Sequence, residues 1–430
     1  MKKLAELITD LDRCVKCGTC RSGCPTFNSV FKEGASARGR LAVMRARADG
    51  TLEPSDYFKT FLKDCTLCGA CTAVCPNDVD TPALVLAARV ETVAAEGLPF
   101  ASTLLMRNIL ESSTLGKVAV KTASRLQGLL LKGGGGTDDR GALGGLISRF
   151  QLPLIGGGRL VPELAGEFFL DRAHVKALSG KGRGRGRKEG TVRVGFFAGC
   201  GINYLLPEVG EAALKALGST VDDLEIVVPQ GQVCCGMPAL SHGDIETARN
   251  LAIKNLVLLE SYDFDFITTA CATCSYGLTN IFDKVLGDEP EYAGRIKKVT
   301  EKVRDITTLL AKDLTVPSSE ERSSKTVTYH DPCHLSRGLD ERDAPRELIE
   351  KSGHEFLEMG HPCRCCGFGG GLSFTNYELS TEINLIKAKN IVKSGADIVA
   401  TACPGCIVQL KDGLNRLEAD VEVKHVLELF

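Results

Sequence analysis

Nineteen cysteines in a chain of 430 residues limit what this sequence can become more than any other feature, because they fall in groups. Eight lie before position 76, none between 76 and 199, five between 200 and 274, and six between 333 and 406. An odd number of thiols in a long chain is a poor start for a disulfide framework. The opening segment MKKLAELITDLDRC carries two lysines but no apolar stretch or small-residue cleavage site, so no secretory leader is expected in it. The expected location is the cytoplasm, and clustered thiols in a reducing compartment read as metal ligands. A net charge of −2 argues against a generic nucleic-acid binder. No apolar run approaches the roughly 20 residues that a membrane-spanning helix needs.

The first group is two copies of one motif. Cys14, Cys17, Cys20 and Cys24 form C-x2-C-x2-C-x3-C before Pro25, and Cys65, Cys68, Cys71 and Cys75 repeat it before Pro76. Three cysteines at three-residue steps let one loop wrap a cubane, while the fourth, before proline, ligates the other cluster. The expected ligand sets are therefore Cys14, Cys17, Cys20 and Cys75 for one [4Fe–4S] cluster, and Cys65, Cys68, Cys71 and Cys24 for the second. Structural zinc needs four ligands, usually from two separated C-x2-C knuckles, whereas here the full four-cysteine pattern occurs twice and each copy ends in Cys-Pro. Between the motifs, ARGRLAVMRARADG is rich in helix formers, so a helical two-cluster ferredoxin domain fits better than the small β-hairpin type. Arg38, Arg40, Arg45 and Arg47 either face the clusters and raise their potentials or form a solvated helix face.

Residues 91–190 lack cysteine and contain GGGG at 133–136 and KGRGRGRK at 181–188. Glycine at that density disfavours helix and strand, so these stretches read as flexible connectors within a helical, Gly/Arg-rich linker. No aromatic residue interleaves the basic run, which favours a solvated linker over a nucleic-acid or lipid contact.

From 191 onward short apolar runs alternate with helical stretches. VRVGFFAG (192–199), LEIVVPQ (224–230) and FDFITTA (264–270) read as buried parallel strands, with a helix over 244–260. TVTYH (326–330), HEFLEM (354–359) and ADIVATA (396–402) form a second series, with a helix over 377–392. The cysteines repeat with the strands: Cys200, Cys235, Cys271 and Cys274 match Cys333, Cys366, Cys403 and Cys406 at offsets of 133, 131, 132 and 132 residues. One module over 191–312 is thus duplicated over 313–430.

Each copy holds five patterned thiols. They are Cys200, Cys234, Cys235, Cys271 and Cys274 in the first, and Cys333, Cys365, Cys366, Cys403 and Cys406 in the second. Each group follows a predicted strand, and ligands of open α/β sheets gather beyond the carboxyl ends of strands. Five thiolates exceed what a cubane requires. An opened, non-cubane cluster with a bridging thiolate uses all five, and a redox disulfide beside an ordinary cluster is the competing reading. The glycine after each Cys-Cys pair is expected to admit close backbone approach to a bulky cluster. Cys363 lies outside the pattern and is expected to be free. His330, His334 and His361 flank the second copy as hydrogen-bond donors, proton relays or plain loop residues; His174, His242, His354 and His425 suggest no role. GFGGGLS at 367–373 lacks the Lys-Ser/Thr of a phosphate loop and reads as packing space around the second module's cluster.

Two ferredoxin motifs, a linker and two Cys…Cys-Cys-Gly…Cys-x2-Cys modules, in that order, resemble the glycolate oxidase iron–sulfur subunit family. Its relatives include the lactate-utilisation iron–sulfur protein and the corresponding cysteine-rich subunits of anaerobic glycerol-3-phosphate dehydrogenase and of heterodisulfide reductase. The intervals in this chain, 33 and 35 residues in the first copy and 31 and 36 in the second, fit the pattern. The resemblance implies an α+β multidomain chain whose C-terminal modules are related by pseudo-twofold symmetry. It implies an FAD-linked dehydrogenase partner acting on glycolate or D-lactate, and a quinone or other carrier as acceptor. Peripheral contact with the membrane would come through partners. No dinucleotide fingerprint or flavin site is legible here, so hydride chemistry is expected in the partner chain. The heterodisulfide reductase relatives imply the rival, in which a module-bound cluster itself cleaves a disulfide.

Overall fold

A computed structural model of the protein describes residues 2–53, 55–98, 100–112, 114–133, 146–148, 159–180 and 190–430. Capping residues set the frame of its N-terminal part. Ser36 Oγ accepts from the Gly39 N–H at 3.0 Å and starts the helix Ala37–Ala48. The Asp80 carboxylate accepts from Ala83 N at 3.1 Å and starts Thr81–Glu96, with Pro82 in its first turn. These two helices and Asp56–Lys63 bury Leu41, Met44, Phe58, Leu62, Leu84 and Val85 against one another. Among the described residues no strand precedes Leu131, as a helical ferredoxin domain requires.

The cysteine-free segment holds the helices Phe100–Leu110 and Thr114–Leu130 and a small antiparallel sheet of β1 (Leu131–Gly133), β2 (Leu146–Ser148) and β3 (Leu160–Val161). Gly133 ends β1; the rest of the GGGG run and the KGRGRGRK run lie outside the described residues. What is described touches both modules: at β3, Leu160 N donates to the Asp412 carboxylate of the second at 2.8 Å, while aromatic and ionic contacts hold the segment to the first. The Phe169 ring packs edge-on to Phe196 with centroids 5.9 Å apart, and Phe168 meets Tyr204 at 4.9 Å. Arg107 reaches Asp244 at 3.3 Å and Glu246 at 3.2 Å. Nothing in the composition of 91–190 marks Phe168 and Phe169 as core, so these anchors are not legible in the sequence.

Each cysteine module is one parallel sheet. The first contains β4 (Val192–Phe196), β5 (Leu224–Val227), β6 (Phe266–Thr269) and β7 (Val303–Asp305), ordered β5-β4-β6-β7. The second contains β8 (Thr326–Tyr329), β9 (Glu355–Phe356), β10 (Ile398–Thr401) and β11 (Glu422–His425), ordered β11-β10-β8-β9. Both place the first and third strands of the copy side by side at the centre, and every pairing is parallel. Central strands such as β10 are buried throughout, which is why they read as continuous apolar runs. The fourth strands, VRD and EVKH, are short, charged edge strands and were not expected.

The modules meet face to face. Ala272 N–H donates to Ala402 O at 2.9 Å across the seam. Helix Ala272–Leu286 of the first packs on Cys333–Ser336 of the second, and Gly199–Tyr204 of the first packs on Pro404–Arg416 of the second. The helix after the third strand of each copy thus contacts the helix after the first strand of the other, which is the contact a twofold axis generates.

Candidate metal centres

The two ferredoxin motifs adopt the same unusual loop. Lys16 and Gly18 have φ of 58° and 84°, and the matching Leu67 and Gly69 have 55° and 71°. A non-glycine residue in that region costs about 1–3 kcal/mol and persists where the surroundings hold it. The loops turn their thiols inward. One cavity is lined by Cys14, Cys17, Cys20, Cys71, Cys75 and Pro76, so Cys75 crosses over to the first motif. Cys71 is pushed up by burial and then by the thiols of Cys68, Cys65 and Cys24 around it, so Cys24 reaches the second motif. The two sites abut, because Cys71 also lines the first cavity and Cys20 has Cys24 among its neighbours.

Of the four arginines, one enters the interior. Arg40 is 2% exposed; its Nε donates to Phe61 O at 2.7 Å and its Nη1 lies 4.0 Å from Cys24 Sγ. Arg38 lines the first cavity while pairing with Glu33 at 2.7 Å. Arg45 points away to Asp12 and Asp49.

In each module the thiols collect beyond the strand ends, at the point between first and third strands where the order reverses. Cys200 Sγ lies 3.5 Å from Cys234 Sγ, and Cys366 Sγ 3.6 Å from Cys406 Sγ. The second cysteine of each adjacent pair is the acid. Hydrogen bonds from Cys234 and Cys274 hold Cys235 well below the usual thiol range, and Cys365 and Cys406 do the same for Cys366. Across the seam, Cys403 is lowered by Cys271 and then Cys406, and Thr273 Oγ1 lies 3.4 Å from its sulfur. All nineteen cysteines are free thiols. Convergent donor sets dominated by thiols fit iron–sulfur clusters better than hard cations.

The ferredoxin domain docks on the second module. Cys68 is raised by the Cys365 thiol beside it and then by burial, and both belong to one small core with Leu372, Leu379 and Ile383. Arg337 donates to Cys68 O at 3.2 Å and to Cys363 O at 2.5 Å, clamping the junction. Arg89, 5% exposed, donates to Leu62 O and Cys65 O of its own domain and to Ser241 O and Gly370 O of the two modules.

The glycine readings change in this light. A Cβ on Gly370 would lie 2.2 Å from Cys65 O, and one on Gly369 would lie 2.6 Å from Thr66 O. GFGGGLS is therefore a seat for the ferredoxin loop rather than packing space around the module's own cluster. Gly236 and Gly367 have φ of 92° and 93°, and their nearest neighbours are the backbones of Ala248 and Ser380. They serve a left-handed turn, which at Gly367 brings the backbone N–H to 3.3 Å from Cys365 Sγ.

His330 is 1% exposed, both ring nitrogens lack a partner, and its ring shares a site with the Cys366 and Cys406 sulfurs, all within 4.8 Å. Burial pushes it down to about 3, so it is neutral. His425, given no role from sequence, ends β11; its Nδ1 accepts from Leu427 N at 3.2 Å and burial pushes it down to about 4. His334 stacks on Tyr276 and meets Thr273 Oγ1 at 3.0 Å, joining the modules. Cys363 is not free of partners: its thiol donates to Asp331 at 3.1 Å, and Arg346 pairs with the same carboxylate. A histidine following β-branched strand residues was the available signal for His330, but its burial depends on β10 beside it.

Fold and thiol geometry define a class: an iron–sulfur oxidoreductase subunit that carries a dicluster ferredoxin on a duplicated α/β cysteine module. Known proteins agree. Residues 10–79 match the 4Fe-4S dicluster domain family, and residues 194–279 and 327–411 match the Cysteine-rich domain family. The chain is 29% identical to the probable glycolate oxidase iron-sulfur subunit of Bacillus subtilis over 98% of its length and 93% of that protein. It is 30% identical to a fumarate reductase (CoM/CoB) subunit of Methanothermobacter marburgensis, over 97% of this chain and 71% of that one. It is 26% identical to a dihydromethanophenazine:CoB–CoM heterodisulfide reductase subunit of Methanosarcina acetivorans over 99% and 94%. The chain belongs to the family of iron–sulfur subunits that these proteins represent. Among the described residues no helix is long and apolar enough to cross a membrane.

Proposed function

We propose that this chain relays electrons within a 2-hydroxy acid dehydrogenase complex, from the reduced flavin of a partner acting on glycolate or D-lactate to a quinone or another carrier. The observation that carries the reading is an unbroken line of thiols. The first ferredoxin site abuts the second, Cys68 touches Cys365, and Cys271 touches Cys403. When bound, clusters at these positions supply one-electron carriers, which a two-electron flavin needs to reach a one-electron chain. The ligand sets we assign are the two swapped ferredoxin quartets and the five patterned cysteines of each module. The protein's own part is distance and exclusion. Arg89, Arg337 and the Gly369–Gly370 seat fix the ferredoxin loop on the second module, and buried walls keep water from the junction.

The test is anaerobic purification with co-purifying partners, followed by iron, zinc and flavin analysis. About sixteen irons per chain with an attached flavoprotein supports the relay; about eight without flavin confines clusters to the ferredoxin domain. Cys68→Ser is expected to sever acceptor reduction while dye-linked flavin oxidation in the partner continues. Unchanged acceptor reduction in that variant would sink the relay.

A second reading has its own support. Both modules keep all five cysteines, and their thiols meet across the seam, as disulfide cleavage at a module-bound cluster would use. Reduction of a heterodisulfide to its two thiols by the purified chain without flavoprotein, with two electrons per turnover supplied by a reduced viologen dye, would favour it.

A further inference from the structure

The pseudo-twofold axis makes a residue-by-residue comparison of the modules possible, and one position differs in kind. At the offset that aligns Cys200 with Cys333, His330 stands where the first copy has Phe197. Both side chains are buried beside the end of the first strand, at 1% exposure. Phe197 needs no polar partner. His330 has two polar ring atoms and no partner for either among the protein's groups. Its backbone is fixed on both sides: its N–H donates to Ala400 O at 2.9 Å and its carbonyl accepts from Thr401 Oγ1 at 3.1 Å. The ring is thereby held with the Cys366 and Cys406 sulfurs, the three atoms lying within 4.8 Å of one another.

A buried ring N–H is ordinarily hydrogen-bonded, and an unmade bond of this kind in a packed core calls for an acceptor. The acceptors in reach are the sulfurs of the second module and the Pro362 carbonyl, and that carbonyl already accepts from Asp331 N at 3.2 Å and Lys387 Nζ at 2.7 Å, which leaves the sulfurs. We propose that His330 donates its ring N–H to sulfur at the group held by Cys366 and Cys406, and so makes the second module easier to reduce than the first. This rests on the reading that both modules hold clusters. Hydrogen bonds to cluster or thiolate sulfur stabilise the more negative, reduced state and raise the potential. The surroundings act in the same direction. Arg337 stands where the first copy has Tyr204, and the buried Lys387, whose Nζ donates to Pro362 O at 2.7 Å, stands where it has Asn255 at the 132-residue offset of Cys271 and Cys403. Ala198 stands opposite Asp331, whose charge is met by Arg346 at 3.0 Å. The duplicated modules are therefore two stations of different potential.

The experiment is an anaerobic redox titration of the holoprotein followed by electron paramagnetic resonance, with iron counted on the same samples. Wild type is expected to give separate midpoints for the two modules. His330→Phe, which copies the first module, should keep its iron and lower the second midpoint by about 59 mV, a tenfold change in a one-electron equilibrium. Phe197→His should raise the first midpoint and narrow the gap, so the test survives if His330→Phe does not fold. An unshifted second midpoint in an iron-replete His330→Phe protein overturns the proposal. Loss of iron from that variant also overturns it, by making His330 a holding residue rather than a tuning one. Wild type with only about eight irons fails the underlying reading instead, and the iron count separates that outcome from the others.

Discussion

The two cysteine modules share a parallel sheet, a thiol pattern and a reciprocal seam, yet the ferredoxin domain rests its cysteine loop on one of them. The second module supplies Cys365, Arg337 and the Gly369–Gly370 seat at that junction. The first module instead receives Phe169 on Phe196 and Arg107 on Asp244 from the cysteine-free segment, whose β3 end crosses to the second module, with Arg159 Nη1 donating to Ser373 O and Leu160 N to the Asp412 carboxylate. Duplication preserved the scaffold that collects thiols and let the surfaces around it diverge. Equal motifs therefore do not imply equal places in a chain of carriers.

Matched substitutions in the two copies can break that comparison. The largest effect is expected from Cys365→Ser against Cys234→Ser. Each should remove about four irons. The first should also cut reduction of the other module, by donors entering at the ferredoxin domain, on the order of 100-fold. The second should leave the opposite module reducible. Freeze-quenched spectra separate the two, and equal behaviour would abolish the proposed order.

Arg337→Leu against Tyr204→Phe comes next. Arg337 loses two charge-assisted hydrogen bonds at the docking junction, worth about 3 kcal/mol in anaerobic denaturation. Tyr204 loses one bond to Ser112 at 3.1 Å, worth about 1 kcal/mol. Gly367→Ala against Gly236→Ala sharpens the scaffold. Both place alanine in the left-handed region at about 1–2 kcal/mol. Gly367→Ala should cost about 1 kcal/mol more, because its Cβ meets Ser380 O at 2.6 Å while that of Gly236 meets Ala248 O at 3.4 Å.

The smallest effect is a pH response of opposite sign. Asp305 ends β7 and accepts from Thr307 N at 3.0 Å, as His425 ends β11 and accepts from Leu427 N. Burial pushes Asp305 up to about 6, so the fold binds its proton more tightly than the unfolded chain. Its contribution is present at low pH and is lost as pH rises from about 4 through about 6. Burial pushes His425 down to about 4, so its contribution is present above about 6.5 and is lost as pH falls towards 4. Between pH 7 and pH 5 each is worth about 1–2 kcal/mol. Asp305→Asn and His425→Asn should change the pH slope of stability in opposite directions, measured as differences from wild type.

Much of this was legible in the sequence. Three strands of each copy stood out because a sheet covered on both faces demands unbroken runs such as ADIVATA. The thiols stood out because their spacing is the geometry of the loop. The fourth strands did not, because VRD and EVKH are short edges in which polar residues are mixed with apolar ones, and the burial of Asp305 and His425 depends on what packs over them. Long-range roles were the least legible. Arg89 sits in a helix of ordinary composition, and its carbonyl partners lie as far as 281 residues away. The purpose of GFGGGLS depended on which chain segment lies over it, a fact of tertiary structure alone.

The reciprocal seam has a consequence for how such a protein could have arisen. Two identical copies joined by a twofold axis must offer two identical docking faces, and each would bind a ferredoxin domain of its own. Here one ferredoxin domain is bound, and its Arg89 grips Ser241 in one copy and Gly370 in the other, which are not equivalent positions. In a homodimer, any change made for one side of that contact is made in both protomers. Placing both halves on a single polypeptide frees them from that constraint. The symmetry survives where it builds the scaffold and is given up where direction matters.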